Sequence, residues 1–359
     1  MNIVISGYYG FDNTGDEAIL FAIISNLIQL DTNIEVTVLS NNPKETSKTY
    51  GVTAVNRWRI NDVVKALKKS DGLISGGGSL LQDATSWKSV PYYIAVMFIA
   101  VILRTPFVFY AQGVGPLKTK WSQWLSKLVI SKASLVTVRD KQSKRLLQKI
   151  GIKKDIHVVP DPVIGLDFPK NKYMLQKRDK YSESVIAVSV RDWKKGNGYQ
   201  KKMATALDGV IDKGFKVVFI PFHGGEDTRA SRDIASMMKG TPVIACDDLK
   251  LEEKMAIIDN ADLLFGMRLH SLIFAAVMQT PFIALSYDPK IDAVAEQFDQ
   301  PIIGKVDGHW SADDLERLLL NQYDHLNIVR QKLKLMIENE QEKIRLTAKN
   351  TLQAFYSKF

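Results

Sequence analysis

Short β-branched and aromatic runs alternate with longer stretches whose apolar residues recur at helical spacing, along nearly the whole chain. That rhythm predicts parallel sheets covered by helices on both faces. In the first half, strands are expected near Asn2 to Ser6, Glu35 to Leu39, Gly72 to Ser75, Pro106 to Ala111, Leu135 to Val138 and His157 to Val159. Helices between them are expected to begin near Asp16, Asn61, Leu80, Lys120 and Asp140. A second series follows, with strands near Val185 to Val190, Lys216 to Pro221, Pro242 to Ala245, Ala261 to Phe265 and Phe282 to Ser286.

Between the two series, the stretch from Pro160 to Ser184 holds three prolines and a lysine-rich run with neither period, which reads as a linker. The expected organisation is therefore two doubly wound, Rossmann-like α/β domains. Residues 1–162 form the first, 163–184 the linker and 185–330 the second, and a C-terminal helix over 331–359 crosses back to the first domain.

Composition narrows this picture without choosing a function. A chain of 359 residues with 46% hydrophobic and 24% charged positions is globular, which excludes disordered and collagenous classes. The net charge of +9 favours anionic partners. Cys246 is the sole cysteine, so an intramolecular disulfide and a thiolate metal cluster are both excluded. The five histidines lack ligand spacing, and no metal is expected. The opening residues lack the layout of a signal peptide, so a cytoplasmic location is expected. The apolar run Val90 to Leu103 is too short for a membrane span and reads as a buried helix.

In open parallel sheets, ligands bind beyond the carboxyl ends of the strands, where helix N-termini converge. The informative residues are those just after each strand. The first strand runs into Gly7, Gly10, Asn13, Gly15, Asp16 and Glu17; this is a substrate loop or a structural turn, with Asp16 or Glu17 as a base in the first case. Gly76-Gly77-Gly78-Ser79 follows the third strand and points to close approach of a ligand or of a domain. Gln112-Gly113-Val114-Gly115-Pro116 follows the fourth, and Arg139-Asp140 the fifth. Arg139 is placed to grip a phosphate or carboxylate, or to pair with Asp140 or a neighbour. Pro160-Asp161-Pro162 reads as the stiff start of the linker.

In the second half, Arg191 follows the first strand and His223-Gly224-Gly225-Glu226-Asp227 the second. The densest group is Gly266-Met267-Arg268-Leu269-His270-Ser271, with Arg268 expected in a turn and His270 on the first helical turn. A right-handed crossover brings Lys290 to the same sheet edge. Arg268, His270, Lys290 and Arg191, facing Arg139 across an interdomain cleft, suit a small polyanion.

The ordered set of Gly7-Tyr8-Tyr9-Gly10, Asn13-Thr14-Gly15-Asp16-Glu17, Gly76-Gly77-Gly78-Ser79, Gln112-Gly113-Val114-Gly115-Pro116, Val138-Arg139-Asp140, Pro160-Asp161-Pro162 and Gly266-Met267-Arg268-Leu269-His270 resembles the polysaccharide pyruvyl transferase family, most closely its bacterial cell-wall CsaB type. The resemblance spans roughly the first 300 residues and implies a GT-B-like fold with an active site in the interdomain cleft. It implies transfer of pyruvate from phosphoenolpyruvate, used as a donor substrate with no cofactor, onto N-acetylmannosamine of a lipid-linked secondary cell-wall precursor. The product is a cyclic ketal that serves anchoring of surface-layer proteins. Arg139, His270 and Lys290 match the family's catalytic positions, with His270 as the acid that protonates C3 of the enol. Arg268, Arg191, Gly7, Asn13, Asp16, Glu17, Gly77, Gly78, Gln112 and His223 are the expected substrate contacts.

Two other readings fit the same pattern: a GT-B nucleotide-sugar glycosyltransferase, and a non-catalytic sugar-binding protein. Nucleic-acid binding is disfavoured because the excess charge is dispersed. Lys118, Lys120, Lys127 and Lys132 flank Trp121, Trp124, Leu125, Leu128 and Val129 at amphipathic spacing. This describes either an ordinary helix packing its stripe on the first sheet or peripheral contact with an anionic membrane at the inner face of the plasma membrane.

Overall fold

The computed structural model describes residues 1–11, 13–83, 89–166, 184–193 and 198–356. In the first unit, residues 1–166 and 340–359, seven strands form one sheet. They are β1 (Asn2–Ser6), β2 (Glu35–Ser40), β3 (Thr53–Asn56), β4 (Gly72–Gly76), β5 (Phe107–Gln112), β6 (Leu135–Val138) and β7 (Ile156–Val158), in the order β3-β2-β1-β4-β5-β6-β7. Every neighbouring pair is parallel.

The central strands β4 and β5 are buried at every position, whereas β3 and β7 at the edges are largely open. The hydrophobic cluster on one face combines Val4, Leu73 and Phe107 of the sheet with Met97 and Val129 of the helices Ser89–Ile102 and Lys120–Ile130.

The second unit, residues 167–339, holds β8 (Val185–Ser189), β9 (Lys216–Phe219), β10 (Val243–Ile244), β11 (Leu263–Gly266), β12 (Phe282–Ser286) and β13 (Ile302–Lys305). Their order is β10-β9-β8-β11-β12-β13, again all parallel. Its core packs Val188, Phe219 and Phe265 against Met203 and Leu207 of the helix Tyr199–Ile211.

Three differences from the sequence reading have physical causes. The helix Pro43–Tyr50 and β3 were not anticipated, although Asn42 caps that helix from its side chain, Pro43 opens it and Gly51 closes it in a left-handed conformation. β3 and β13 are four-residue edge strands with mixed burial, so neither carries an apolar run. The helix expected from Leu80 is seen from Ser89; residues 84–88 lie outside the described residues, and Leu81 forms an isolated bridge with Val114.

Residues 163–166, assigned to the head of the linker, pack inside the first unit. Val163, Ile164 and Leu166 are buried, and Pro162–Gly165 forms a 3-10 turn capped by Asp161. The remainder of that linker, 167–183, lies outside the described residues. The long helix Leu326–Tyr356 contributes residues 326–339 to the second unit and 340–356 to the first.

Candidate active site

In the first sheet the direction of strand addition reverses between β1 and β4, and in the second between β8 and β11. Ligands of doubly wound sheets bind at such switch points, because the flanking connections leave to opposite faces. Asp16 follows β1 and Gly77-Gly78-Ser79 follows β4; Arg191 follows β8, and Arg268 and His270 follow β11. The sequence-predicted residues thus straddle both switch points.

Asp16 sits in the first turn of the helix Thr14–Leu30. Asn13 caps that helix, its Oδ1 accepting from Gly15 N at 3.0 Å and Asp16 N at 3.4 Å, which fixes where the Asp16 side chain leaves the backbone. Gly78 makes room for it. A Cβ at Gly78 would lie 2.6 Å from Asp16 Oδ1, and at Gly77 2.0 Å from Ile19 Cγ2, while both residues have φ in the left-handed region at +73° and +78°. Burial pushes the Asp16 carboxyl up from 3.8 to about 7; Arg139 opposes the shift, and Glu17 and Asp161 add to it. A carboxyl poised near neutrality suits a general base.

Arg139 is nearly buried and is held through both of its terminal nitrogens. Its Nη1 donates to Asp161 Oδ2 at 3.0 Å and its Nη2 to Ser79 Oγ at 2.8 Å. Asp140 instead caps the next helix through Ser143 N at 2.6 Å. A Cβ at Gly113 would lie 2.9 Å from both Arg139 Nε and Ser79 Oγ, so that glycine, too, leaves space for the guanidinium. β5 reaches this point through an irregularity: its register with β6 shifts between Phe109 and Gln112, and Ala111 sits at φ +44° with its N–H donating to Thr137 Oγ1 at 2.7 Å. Gln112 is wholly buried and donates to Ser75 O at 2.7 Å, which makes it a tie between β4 and β5.

Glu17 is occupied in a different way from Asp16. Its Oε1 accepts from Gly10 N at 2.7 Å and its Oε2 from Tyr50 OH at 2.7 Å, so it anchors the loop. Gly7 is required by Tyr9, whose Cζ would lie 2.2 Å from a Gly7 Cβ and whose hydroxyl donates to Gly76 O at 2.6 Å.

In the second unit, Arg268 caps the helix Leu269–Met278 in an extended conformation and His270 lies on its first turn, as the spacing required. The Arg268 guanidinium forks onto Asp227, with Nε 3.0 Å from Oδ2 and a second contact from Nη2 to Oδ1. Asp227 is fully buried and also accepts from the Phe222 and His223 N–H groups at 3.1 and 3.0 Å. His223 itself caps the helix Gly224–Ala235, with Nδ1 3.5 Å from Glu226 Oε2.

Lys254, from the helix Leu251–Asn260, is buried nearby; burial lowers its pKa, and Asp227 opposes that shift. His270 is half-buried, its ring 6.2 Å from that of Phe274 one turn on. Arg191 donates from Nη1 to Tyr287 OH at 2.9 Å and lies over that ring at 4.6 Å. Lys290 is half-buried in the first turn of the helix Pro289–Gln297, beyond β12.

The structure therefore groups Asp16, Gly77, Gly78 and Arg139 in one unit, and ties Arg268 to the His223 loop in the other. Asp161, Ser79, Asp227 and Lys254 were not singled out from sequence. Asp161 and Asp227 stand in strings that were noticed, and each is the carboxylate a buried arginine demands. Lys254 lies in an ordinary amphipathic helix that gave no signal. Among the described residues no cluster of three His, Cys, Asp or Glu side chains could hold a metal ion.

Two α/β units, each with one parallel sheet and one switch point, define a GT-B-like, Rossmann-like architecture. The fold resembles a UDP-N-acetylglucosamine 2-epimerase from Neisseria meningitidis (TM-score 0.69, 11% identity, 99% of this chain and 100% of that one). It also resembles a putative UDP-N-acetylglucosamine 2-epimerase from Listeria monocytogenes (0.67, 12%, 99% and 96%) and a glycosyltransferase from Rickettsia africae (0.65, 10%, 99% and 98%). By sequence the chain is 22% identical over 365 residues to the amylovoran biosynthesis protein AmsJ of Erwinia amylovora, covering 84% of this chain and 87% of that protein. The profile of the polysaccharide pyruvyl transferase family matches residues 13–289, and the chain belongs to that family. It is accordingly a transferase, with a pyruvyltransferase role in polysaccharide biosynthesis.

Proposed function

We propose that the protein transfers the pyruvyl group of phosphoenolpyruvate onto two hydroxyls of an amino sugar, N-acetylmannosamine in a lipid-linked cell-wall precursor, and that Asp16 is the base. The observation that carries this reading is a carboxyl held near neutrality at the switch point, beside the Arg139–Asp161 pair. In this scheme His270 gives a proton to C3 of the enol and C2 becomes electrophilic. Asp16 takes the proton of the first sugar hydroxyl as its oxygen bonds to C2. The C2–O bond to phosphate then breaks, the second hydroxyl closes the ketal, and its proton leaves with the phosphate. Arg268, Lys290 and Arg191 hold the donor's phosphate and carboxylate.

Incubation of the full chain with phosphoenolpyruvate and a β-N-acetylmannosaminyl glycoside tests it. Phosphate release together with a pyruvylated glycoside is the expected result. Transfer from a UDP-sugar with release of UDP, and no phosphate release from phosphoenolpyruvate, overturns it.

Peripheral membrane contact belongs to the same proposal. The helix Lys120–Ile130 turns Ser122, Ser126, Val129 and Ile130 inward and leaves Trp121 and Trp124 more than half exposed, with Leu128 beside them. The helix Ser89–Ile102 packs next to it, carries no charged residue and exposes Phe98 and Ile102. From 84 to 139 the sequence has seven basic residues and no acidic one. Exposed tryptophans within a basic field match the interface of an anionic bilayer. Among the described residues no helix is long and apolar enough to cross a membrane. Sedimentation with phosphatidylglycerol vesicles but not phosphatidylcholine vesicles, lost in a Trp121→Ser, Trp124→Ser variant, is expected. Equal failure of wild type and variant to sediment overturns it.

A further inference from the structure

At the carboxyl ends of β1, β2 and β3, three connections are tied into one surface that the scheme above does not use. Asn41 N donates to Tyr9 O at 3.0 Å, Arg57 N to Ser40 O at 3.0 Å, and Asn41 Nδ2 to Gly10 O at 3.3 Å. Large aromatic rings are held on that surface facing solvent. Trp58 is 61% exposed, yet its Nε1 donates to Asn41 Oδ1 at 2.9 Å and its N–H to Asn56 Oδ1 at 2.8 Å. Tyr8 is 41% exposed and stacks on Phe11, with centroids 4.1 Å apart and ring planes within 6°.

Beneath them lies Arg57, only 4% exposed. Its guanidinium carbon is 4.2 Å from the Tyr92 ring centroid, 5.1 Å from those of Phe11 and Trp58, and 5.4 Å from that of Tyr93. Nη1 donates to Gly7 O at 2.8 Å and Nη2 to Tyr93 OH at 3.3 Å, while Nε is buried without a hydrogen-bond partner. Among the described residues no carboxylate pairs with Arg57. The four ring faces offset part of the cost of burying this charge, so the cation and the rings hold one another in place.

We propose that Trp58 and Tyr8, backed by the Arg57 cage, form a saccharide subsite of the first unit. A pyranose has a C–H face that lies flat on an aromatic ring and a hydroxyl rim that hydrogen-bonds to polar groups and cations. The exposed faces of Trp58 and Tyr8 offer the first, held rigid by the caged cation beneath them, and the polar connection that carries Asn41 lies at their edge for the second. The platform is braced from the same turn as Asp16: Gly7, which accepts from Arg57, adjoins Tyr9, whose hydroxyl donates to Gly76 O at the head of the triple-glycine turn. The inference rests on the reading of a sugar acceptor, and supplies the residues that select it.

The experiment is a saturation-transfer NMR titration of the full chain with a β-N-acetylmannosaminyl methyl glycoside. Wild type is compared with Trp58→Ala, with a Tyr8→Ala, Trp58→Ala double variant, and with Leu335→Ala as a control on an exposed helix face of the second unit. Calorimetric titration with phosphoenolpyruvate runs in parallel. The expected result is glycoside binding weakened by about tenfold or more in the platform variants, unchanged in the control, with phosphoenolpyruvate affinity unaltered throughout. Unchanged glycoside affinity in the double variant, absence of glycoside binding by wild type, or transfer of the effect to uridine diphosphate overturns the subsite. Wild type that binds glycoside but releases no phosphate from phosphoenolpyruvate overturns the pyruvyl reading while the subsite stands. Full turnover with an unaltered acceptor KM in the double variant does the reverse.

Discussion

Arg139 donates from Nη1 to Oδ2 of Asp161 at 3.0 Å, and neither side chain exposes more than 9% of its surface. A buried pair of this kind is weak evidence of net stabilisation, but breaking it from one side strands the other charge. Asp161→Ala is expected to cost about 3–5 kcal/mol in denaturant unfolding. The conservative Asp161→Asn keeps an acceptor for Nη1 and is expected to lose roughly half as much.

Asp16 carries a pH dependence whose sign is fixed. With the folded carboxyl raised from 3.8 to about 7, the native state holds the proton more tightly than the unfolded chain. The stability this confers is complete below about pH 4 and is lost as pH rises through about 7. Asp16→Asn is therefore expected to melt several degrees above wild type at pH 8, the gap closing by pH 4, in scanning calorimetry. As the base, the same group gives the wild-type kcat/KM profile an acid limb that rises with unit slope up to about pH 7. Asp16→Asn should lose turnover by about 10²- to 10⁴-fold.

Glu17 supplies the contrast. Gln at this position still accepts from Gly10 N, and its amide can donate to the Tyr50 hydroxyl. Glu17→Gln is expected to retain turnover within a fewfold of wild type, whereas Glu17→Ala strands the Gly10 N–H and loses about 1–3 kcal/mol. Equal loss of turnover in Glu17→Gln and Asp16→Asn would contradict the separation of their roles.

Gly78→Ala places a methyl against Asp16 Oδ1 at a backbone φ of +73°. Backbone strain alone costs about 1–3 kcal/mol. The displaced carboxyl should also shift the activity pH profile, a change that Gly214→Ala, also at positive φ but with open space around it, does not produce.

Asp227 holds Arg268 by a fork and two backbone N–H groups besides. Asp227→Ala frees the arginine and the loop together, and is expected to unfold the second unit at lower denaturant while the first keeps its transition. Arg268→Lys, which keeps the charge but not the planar fork, should raise the KM for the donor more than it lowers kcat.

Strand positions were legible wherever a strand is central. β1, β6 and β12, each flanked by a strand on both sides, were placed to the residue, because burial on both faces writes a short run of mainly β-branched and apolar residues. Edge strands β3 and β13 escaped, since half-exposed four-residue segments need no such run. The glycine turns and Arg268-Leu269-His270 were legible because backbone at a strand end is constrained by geometry. Their partners were not: Asp161 and Asp227 reach their arginines 22 and 41 residues away in sequence, and nothing local encodes such a pairing. The aromatic surface around Arg57 escaped for the same reason, its rings coming from two separate connections and the helix Ser89–Ile102. For the helix Lys120–Ile130, amphipathic spacing identified the stripe but could not say which residues face inward.

Phe355, near the end of the long helix Leu326–Tyr356, lies against Gly72 so closely that a Cβ there would stand 2.4 Å from its ring. The first unit therefore draws part of its interior from beyond the second in chain order. On the ribosome the second unit can complete its packing earlier, while the sheet that carries Asp16 waits until translation has passed Phe355. Nascent chains arrested before that point should present the amino-terminal half to chaperones and proteases as an unfinished core.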